Sequence, residues 1–490
     1  MLVSELNTKH ADWVRLAPFW DRIALLKCGG WEMSQRAEWF LQPRPMEPQS
    51  VYAQRLQSAS YQNIFGTALG WYSSRLFHDP PQFGFRSSPE DKTVDPDPAV
   101  KEFLDNADGS GTSLVNLART KWFADIVALG CTYVVIDLPV VTAPLASQRA
   151  QAEAGALDPY LVSFDARQVI DWDVDEQGNY KRIVIATQAE GGKVDRWYIY
   201  DETTVQVWEA ERKGSTATTQ PDDEKRKANL VRYARHALAS FGRVPVRRLS
   251  VPEELWFGWR VYPQVVAHYN ADNAYQWLLL NACIPVPVIT GEYNEPPARS
   301  EVQWISLAEN GKFSYTEPSG VAFQWAAARV EQLKEEVHRQ MYLQHQAAET
   351  HAAQSGLSKQ MDMQPSTEVL DGFGAIWREA FEGILKDVLA IRGQRDVDVD
   401  VQGLTFDDDN IYESQAALAV LDLGVPSETF RREVFKRVTR AYLKADPDKQ
   451  KAIDQEIDSA PDQAQSQQAA MLEQAAALAA AKADARPSAK

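Results

Sequence analysis

The sequence predicts an α+β chain: a helical N-terminal region with a β-rich part, two long helices flanking a small β-containing segment, and a helical C-terminal region. Three observations predict it. Residues 263–282 carry Val265, Val266, Tyr269, Trp277 and Leu280 at near-helical spacing, and the pattern returns from Ala326 at Val330, Leu333, Val337 and Met341. Between these arms lies a Pro-rich extended stretch, and residues 160–208 hold short β-rich runs separated by turn residues.

The N-terminal third, to about Leu129, reads as mostly helical. Residues 52–77 are predicted as one helix with Leu56, Ile64, Leu69 and Leu76 among its apolar positions, stopped by Asp79, Pro80 and Pro81. A loop rich in Pro and Asp is expected to about Pro98. A second helix over 113–129 ends at Gly130, a residue suited to a left-handed C-terminal cap, and runs into a strand over 132–137.

The runs 160–164, 169–174, 180–187, 197–200 and 204–208 read as one antiparallel meander, with turns at Gln177-Gly178-Asn179 and Gly191-Gly192. Residues 213–227 are a polar loop, and 241–246 a short edge-like segment.

The first arm, with Pro263 acceptable in a first turn, makes a rod of roughly 30 Å. The second sets Glu331, Glu335 and Arg339 on an outer face, Glu335 and Arg339 at the i, i+4 spacing that favours an ion pair. Between them, 284–291 and 302–307 are predicted strands, and Pro296, Pro297 and Gly311 break any helix. Two rods therefore hold a small β-rich knob. Farther on, a helix over 366–391 ends at Gly393, and the alternation over 396–401 predicts a strand with its valines buried. Helices over 411–423 and 427–444 follow, divided by Gly424 and Pro426; from Asp446 the chain is dominated by Ala and Gln and has little to bury.

At 490 residues the chain is long enough for two to four subdomains, and 44% hydrophobic with 24% charged residues is ordinary for a globular protein. A net charge of −17 argues against coating nucleic acid through a broad basic surface. Cys28, Cys131 and Cys283 have neither disulfide-framework nor zinc spacing, so a reducing compartment is the default. No signal pattern opens the chain and no run approaches the roughly 20 apolar residues of a membrane helix, so a soluble, non-secreted product is expected.

Several groups imitate functional sites. Asp171, Asp173 and Asp175 resemble the start of a calcium loop, but Glu176 and Arg182 stand where that loop needs Gly and Glu. Asp396, Asp398 and Asp400 with Asp407, Asp408 and Asp409 could form a magnesium cluster, against the reading of a solvated strand face. His338, His345 and His351 lack helical metal-pair spacing. Gly109-Ser110-Gly111-Thr112 precedes a helix but lacks phosphate-loop spacing. The tryptophans sit at apolar positions of helices and strands, which favours packing over sugar binding. The pair 411–444 has a helix-turn-helix outline, and its second helix carries Arg431, Arg432, Lys436, Arg437, Arg440 and Lys444, a basic face suited to a neighbouring subunit or a nucleic-acid backbone.

The order of four stretches resembles the portal proteins of tailed bacteriophages, the head-to-tail connectors. These are Tyr52-Ala-Gln-Arg55 through Asn63 to Phe77 and Pro80-Pro81; Ala128-Leu-Gly130 with Val134 to Asp137, Pro139, Pro159 to Val162 and Val169 to Trp172; the rod, knob and rod; and Ser355 to Ser358 leading through Gly393, a Val-rich strand and Phe406 to the helix pair around Gly424 and Ser427. The likeness runs from about residue 50 to 445; a Trp-rich N-terminal segment and the Ala/Gln tail depart from it.

The resemblance implies a wing over 1–250, a stem helix over 251–283, a clip over 284–322 and a returning stem helix over 323–355. A tunnel loop, long helix and helical crown follow over 356–445, and then a tail over 446–490. It implies a non-enzymatic ring, typically of twelve copies, at a capsid vertex of a virion assembled in the host cytoplasm, passing double-stranded DNA without a cofactor or a membrane. Implied partners are the terminase large subunit, a head-completion or tail adaptor, and the major capsid or scaffolding protein. By position, Tyr293, Trp304 and Tyr315 are the expected clip contacts, Lys359 and Gln360 the tunnel-loop residues, and Arg431, Arg432, Lys436, Arg437 and Arg440 an inter-subunit basic helix. Two other readings stay open: a carboxylate-dependent hydrolase with a Trp-lined β domain, and a DNA-binding regulator using helix 427–444.

Overall fold

Apolar faces that recur at the helical or strand period must find cover, and here they find it mainly in segments distant in sequence. The structure is a computed structural model describing residues 1–87, 92–139, 157–212, 226–282, 286–290, 312–316, 320–344, 356–406, 427–442 and 447–460. The chain divides into two units, 1–405 and 406–490.

The first unit opens on helices Val3–Leu6, Ala11–Cys28 and Gly30–Ser34. The single helix expected over 52–77 is two, Gln49–Ser58 and Ile64–Leu76. Asn63 divides them because its side chain accepts from Gly66 N at 2.8 Å, the geometry of an N-cap. The stretch expected as a loop to Pro98 holds β1 (Gln82–Ser87), β2 (Lys92–Thr93) and the start of a helix, Pro98–Asp105, whose Asp97 caps Ala99 N.

Ser113 caps the next helical run, which passes through a π-helical segment at Ala118–Trp122 to Phe123–Leu129. Gly130 ends it at φ +86°, as expected. The chain then enters β3 (Cys131–Asp137), the buried centre of a three-stranded sheet with β4 (Tyr160–Asp165) and, farther on, β10 (Val246–Ser250).

Here the expected meander is corrected. Its first run, β4, belongs with β3, while β5 (Val169–Val174), β6 (Tyr180–Ala189), β7 (Val194–Asp201), β8 (Thr204–Glu211) and β9 (Asn229–Arg235) form the five-stranded antiparallel sheet in sequence order. Strand β4 shows the same alternation as its successors, so nothing local separates it from them. The edge-like segment expected over 241–246 is displaced: Ala239–Phe241 is a 3-10 turn, and the edge strand β10 begins at Val246. Of the polar loop expected over 213–227, residues 213–225 lie outside the described residues.

A long helix, Phe257–Ala282, leads out to β11 (Val286–Thr290) and β12 (Lys312–Thr316), and Gly320–Gln340 leads back. We call these the outgoing and return helices. Pro263 lies inside the outgoing helix rather than in its first turn. Its ring is on an exposed face, where water can take the freed Trp259 carbonyl. The expected strand 302–307 and the breakers Pro296, Pro297 and Gly311 fall outside the described residues.

Gly356–Ile391 is one helix with Pro365 inside it, beginning earlier than the expected 366. Ser366 Oγ donates to Met363 O at 2.7 Å and Thr367 Oγ1 to the same carbonyl, so both hydroxyls after Pro365 bond back along the helix. β13 (Val397–Gln402) buries Val399 and Val401 as the alternation predicts, and pairs antiparallel with β1. The core of this unit gathers Tyr72, Trp122, Phe123, Phe257, Phe373, Trp377 and Phe381, with the Trp122 and Trp377 rings stacked at 6.2 Å.

In the second unit, the described residues form helices Glu428–Tyr442 and Pro447–Ser459. The expected helix over 411–423 and residues 461–490 lie outside them.

Candidate functional site

Helices of 26 and 21 residues extend about 39 Å and 32 Å at 1.5 Å per residue. The outgoing and return helices pack together at their base, where Val261, Val265 and Tyr269 on one and Leu333 and Val337 on the other are buried, with Met341 just beyond. Toward the hairpin the apolar side chains lose cover: Leu280, Val321 and Trp325 are 55%, 59% and 73% exposed. Strands β11 and β12 pair in antiparallel register between them, Val286 opposite Thr316, Pro287 opposite Tyr315 and Thr290 opposite Lys312.

The base is clamped by side-chain amides that read backbone. Asn270 Nδ2 donates to Phe40 O and its Oδ1 accepts from Gln42 N, both at 2.9 Å. Asn273 does the same for both backbone groups of Ser60, at 2.9 and 3.0 Å. Tyr72, fully buried, donates its hydroxyl to Met341 O at 2.5 Å, tying the end of the return helix to Ile64–Leu76. Arg260 reaches Tyr342 Oη at 3.2 Å. The sequence reading missed all four. The signal available was Asn at i and i+3 on an otherwise inward face.

The same pair of helices holds buried polar atoms, Gln264 Oε1, His268 Nε2 and Gln340 Oε1, that have no hydrogen-bond partner among the described residues. Burial holds the His268 imidazole below its usual pKa; Asp272 and Glu331 oppose that shift, while Lys334 and His338 add to it. His338 is also held low by burial, although its Nδ1 sits 3.0 Å from Lys334 O. The ion pair expected between Glu335 and Arg339 is instead Glu336 with Arg339, one turn position closer.

Of the expected clip residues, Tyr315 stands on β12 opposite Pro287, and Tyr293 and Trp304 lie outside the described residues. Lys359 and Gln360 fall in the first turns of helix Gly356–Ile391, so the loop expected around them is helical backbone. Arg431, Arg432, Lys436, Arg437 and Arg440 all lie on Glu428–Tyr442. Two of them, Lys436 and Arg432, are met from within the chain. Lys436 Nζ pairs with Asp458 at 2.7 Å and Glu433 at 3.1 Å, and Arg432 donates to Ala460 O at 2.8 Å. The beginning of the tail, expected to bury little, is thus a helix bound to the basic one.

Several described residues of the imitated sites are engaged by the chain's own bonds. Asp171 pairs with Arg182 at 2.9 Å, and Asp175 takes Gln177 N and Asn179 N at 2.9 and 2.8 Å, closing the β5–β6 turn. Asp108 takes Ser110 N and Thr112 N, and Asn106 takes Gly111 N, so these amides of the glycine-rich loop are already used. Asp400 pairs with Arg86 at 3.3 Å; Asp407, Asp408, Asp409, His345 and His351 lie outside the described residues. Among the described residues no group of three His, Cys, Asp or Glu is placed to hold a metal, and no helix is long and apolar enough to cross a membrane.

No protein-family model matches this chain, and no curated protein matches it. Among solved structures it is similar to a chain in the virion of a native gene transfer agent particle, at 11% identity and TM-score 0.40, covering 79% of this chain and 93% of that one. It is also similar to a chain in the neck of an empty particle of that kind computed with C6 symmetry, at 11% identity and TM-score 0.38, covering 80% and 95%. A third, in the neck of the native particle computed with C12 symmetry, gives 12% identity and TM-score 0.34 over 80% and 95%.

Proposed function

We propose that this chain is the subunit of a portal-type ring, a head-to-tail connector that passes double-stranded DNA and does no covalent chemistry of its own. The observation that carries the reading is the pair of long antiparallel helices, clamped at the base by Asn270, Asn273 and Tyr72 and joined at the tip through the β11–β12 hairpin. Apolar cover is complete at the base and lost at Leu280, Val321 and Trp325. A second copy alongside would supply what one chain lacks.

In this reading the outgoing and return helices are the stem. The β11–β12 segment is the clip, with Tyr315, and with Tyr293 and Trp304 beyond the described residues, presented to the packaging motor and later to a tail adaptor. Lys359 and Gln360, on helix backbone, lie near the channel. A chain of net charge −17 suits a conduit, since a basic lumen would hold DNA through counterion release at every phosphate. The basic helix Glu428–Tyr442 serves contacts between subunits rather than DNA.

Electron microscopy of the purified full-length chain, negatively stained, tests this. The expected image is a closed ring with a central hole, about twelve copies around. Trp325→Glu, a change at an exposed site, is expected to leave the monomer folded by circular dichroism and to abolish or strongly reduce ring formation. A chain that stays monomeric across salt and concentration, or a Trp325→Glu variant that assembles as well as the parent, would count against the reading.

A further inference from the structure

The five-stranded sheet ends on β9, which pairs with β8 on one side and, among the described residues, with no backbone on the other. Its outer N–H and C=O groups are a template for one more strand. The apolar rows of the sheet run out to that edge. Trp197, Trp208 and Leu230 stand in one row across β7 to β9, and Ile199, Gln206 and Tyr233 in another on the same face. Trp197 and Ile199 are buried, whereas Leu230 and Tyr233 at the ends of the rows are 46% and 64% exposed. Val231, the extra residue of a bulge beside Val207 and Trp208, is exposed as well. A single exposed apolar side chain is ordinary; three on one unpaired strand mark an interaction site.

This edge is basic in a chain of net charge −17. Residues 226–235 hold Arg226, Lys227, Arg232 and Arg235 and no Asp or Glu. Arg226 pairs with Asp195 and Arg232 with Asp137, while the exposed Lys227 and Arg235 make no ion pair among the described residues. Arg235 lies two positions beyond Tyr233, on the same face of the strand. Two β9 strands set edge to edge would bring these cations together, which disfavours self-pairing. A nucleic acid would answer the cations but leave the strand's carbonyls unmet. An extended peptide bearing carboxylates answers both, through its own backbone and its charge.

We propose that β9 is a docking edge for an extended acidic segment of a partner protein, added to the sheet as a further strand. Backbone hydrogen bonds supply affinity, Leu230 and Tyr233 receive apolar side chains on one face, and Lys227 and Arg235 select for Asp or Glu. The docking edge uses none of Leu280, Val321 and Trp325, so it stands independently of ring assembly.

The test is fluorescence anisotropy of a short labelled peptide alternating Glu with Val and Thr, titrated with the full chain. Saturable binding is expected. A peptide with Lys in place of Glu, and the Glu peptide with alternate amides N-methylated so that it cannot pair as a strand, are both expected to bind at least tenfold more weakly. Arg235→Glu and Tyr233→Ser alter exposed side chains, so each is expected to keep the parent's circular dichroism and to weaken the Glu peptide several-fold. No binding by the parent, equal binding of the N-methylated or the Lys peptide, or full affinity in both variants would each overturn the assignment. So would binding that the monomer shows and the assembled ring lacks, which would give the edge to a second copy, or displacement of the peptide by a short DNA duplex at lower concentration than by unlabelled peptide.

Discussion

At Gly258 a β-carbon would sit 1.9 Å from Ala128 O, and at Gly374 the same distance from Leu404 O. Both glycines are inside helices, where alanine is favoured by about 1 kcal/mol on propensity. Overlap with backbone cannot be relieved by a rotamer change and costs about 1–3 kcal/mol or more, so the crowding wins. Gly258→Ala and Gly374→Ala are therefore expected to destabilise the chain in urea unfolding, and a stabilised variant would show that the two backbones do not cross there. Asp387, 4% exposed, raises a second case. Asp387→Asn keeps the shape but leaves Arg243 and Arg247 without their carboxylate, and a loss of about 2–4 kcal/mol is expected, tempered because Arg243 is half exposed. The buried histidines set the pH response. His236, His268 and His338 are all held below the usual pKa near 6.5, chiefly by desolvation, so the folded chain binds fewer protons than the unfolded one in mild acid. Their contribution is complete above about 6.5 and is lost as pH falls through the folded values. His268→Gln is expected to flatten the fall in unfolding free energy between about pH 6.5 and 5, and an unchanged slope would remove His268 from that account.

At the scale of elements, a buried hydroxyl ties down the end of the return helix. Tyr72→Phe removes the donor to Met341 O while keeping the ring in place, so a loss of about 1–2 kcal/mol is expected. Hydrogen exchange localises it: amides of residues 337–343 are expected to exchange faster, and uniform acceleration across the chain would speak against a local clamp. Much of this level was legible beforehand. Gly130, the turns at Gly178 and Gly192, the valines of β13 and the apolar base of the helix pair stand where the pattern put them. What went unread lacked a local signature. Gln82–Ser87 looks like loop because its partner is β13, with Arg86 and Asp400 lying 314 residues apart. The break at residues 59–63 was hidden because the apolar rhythm continues across it, while the Asn63 cap and the Asn273 clamp on Ser60 decide the backbone.

For the molecule as a whole, the acidic balance and the pairing of Lys436 with Asp458 and Glu433 bear on nucleic acid. The chain is expected to bind a short duplex no more tightly than about 10⁻⁴ M at physiological salt, the weak limit of non-specific association. Tight, steeply salt-dependent binding in a fluorescence anisotropy titration would favour the regulator reading of the basic helix. By itself the sequence determined the sign of the charge, the layout of two long helices around a β segment, and the strands whose alternation leaves one face to bury. These are properties of residues within one or two turns of each other, where side-chain period and capping chemistry act. Only the tertiary structure decided that β4 joins β3, that β1 pairs with β13, that Pro263 and Pro365 stay inside helices, and that Arg243 and Arg247 converge on Asp387. Each of those depends on a partner far along the chain, and the free energy that selects it comes from burial and hydrogen bonding that exist only once both partners are in place.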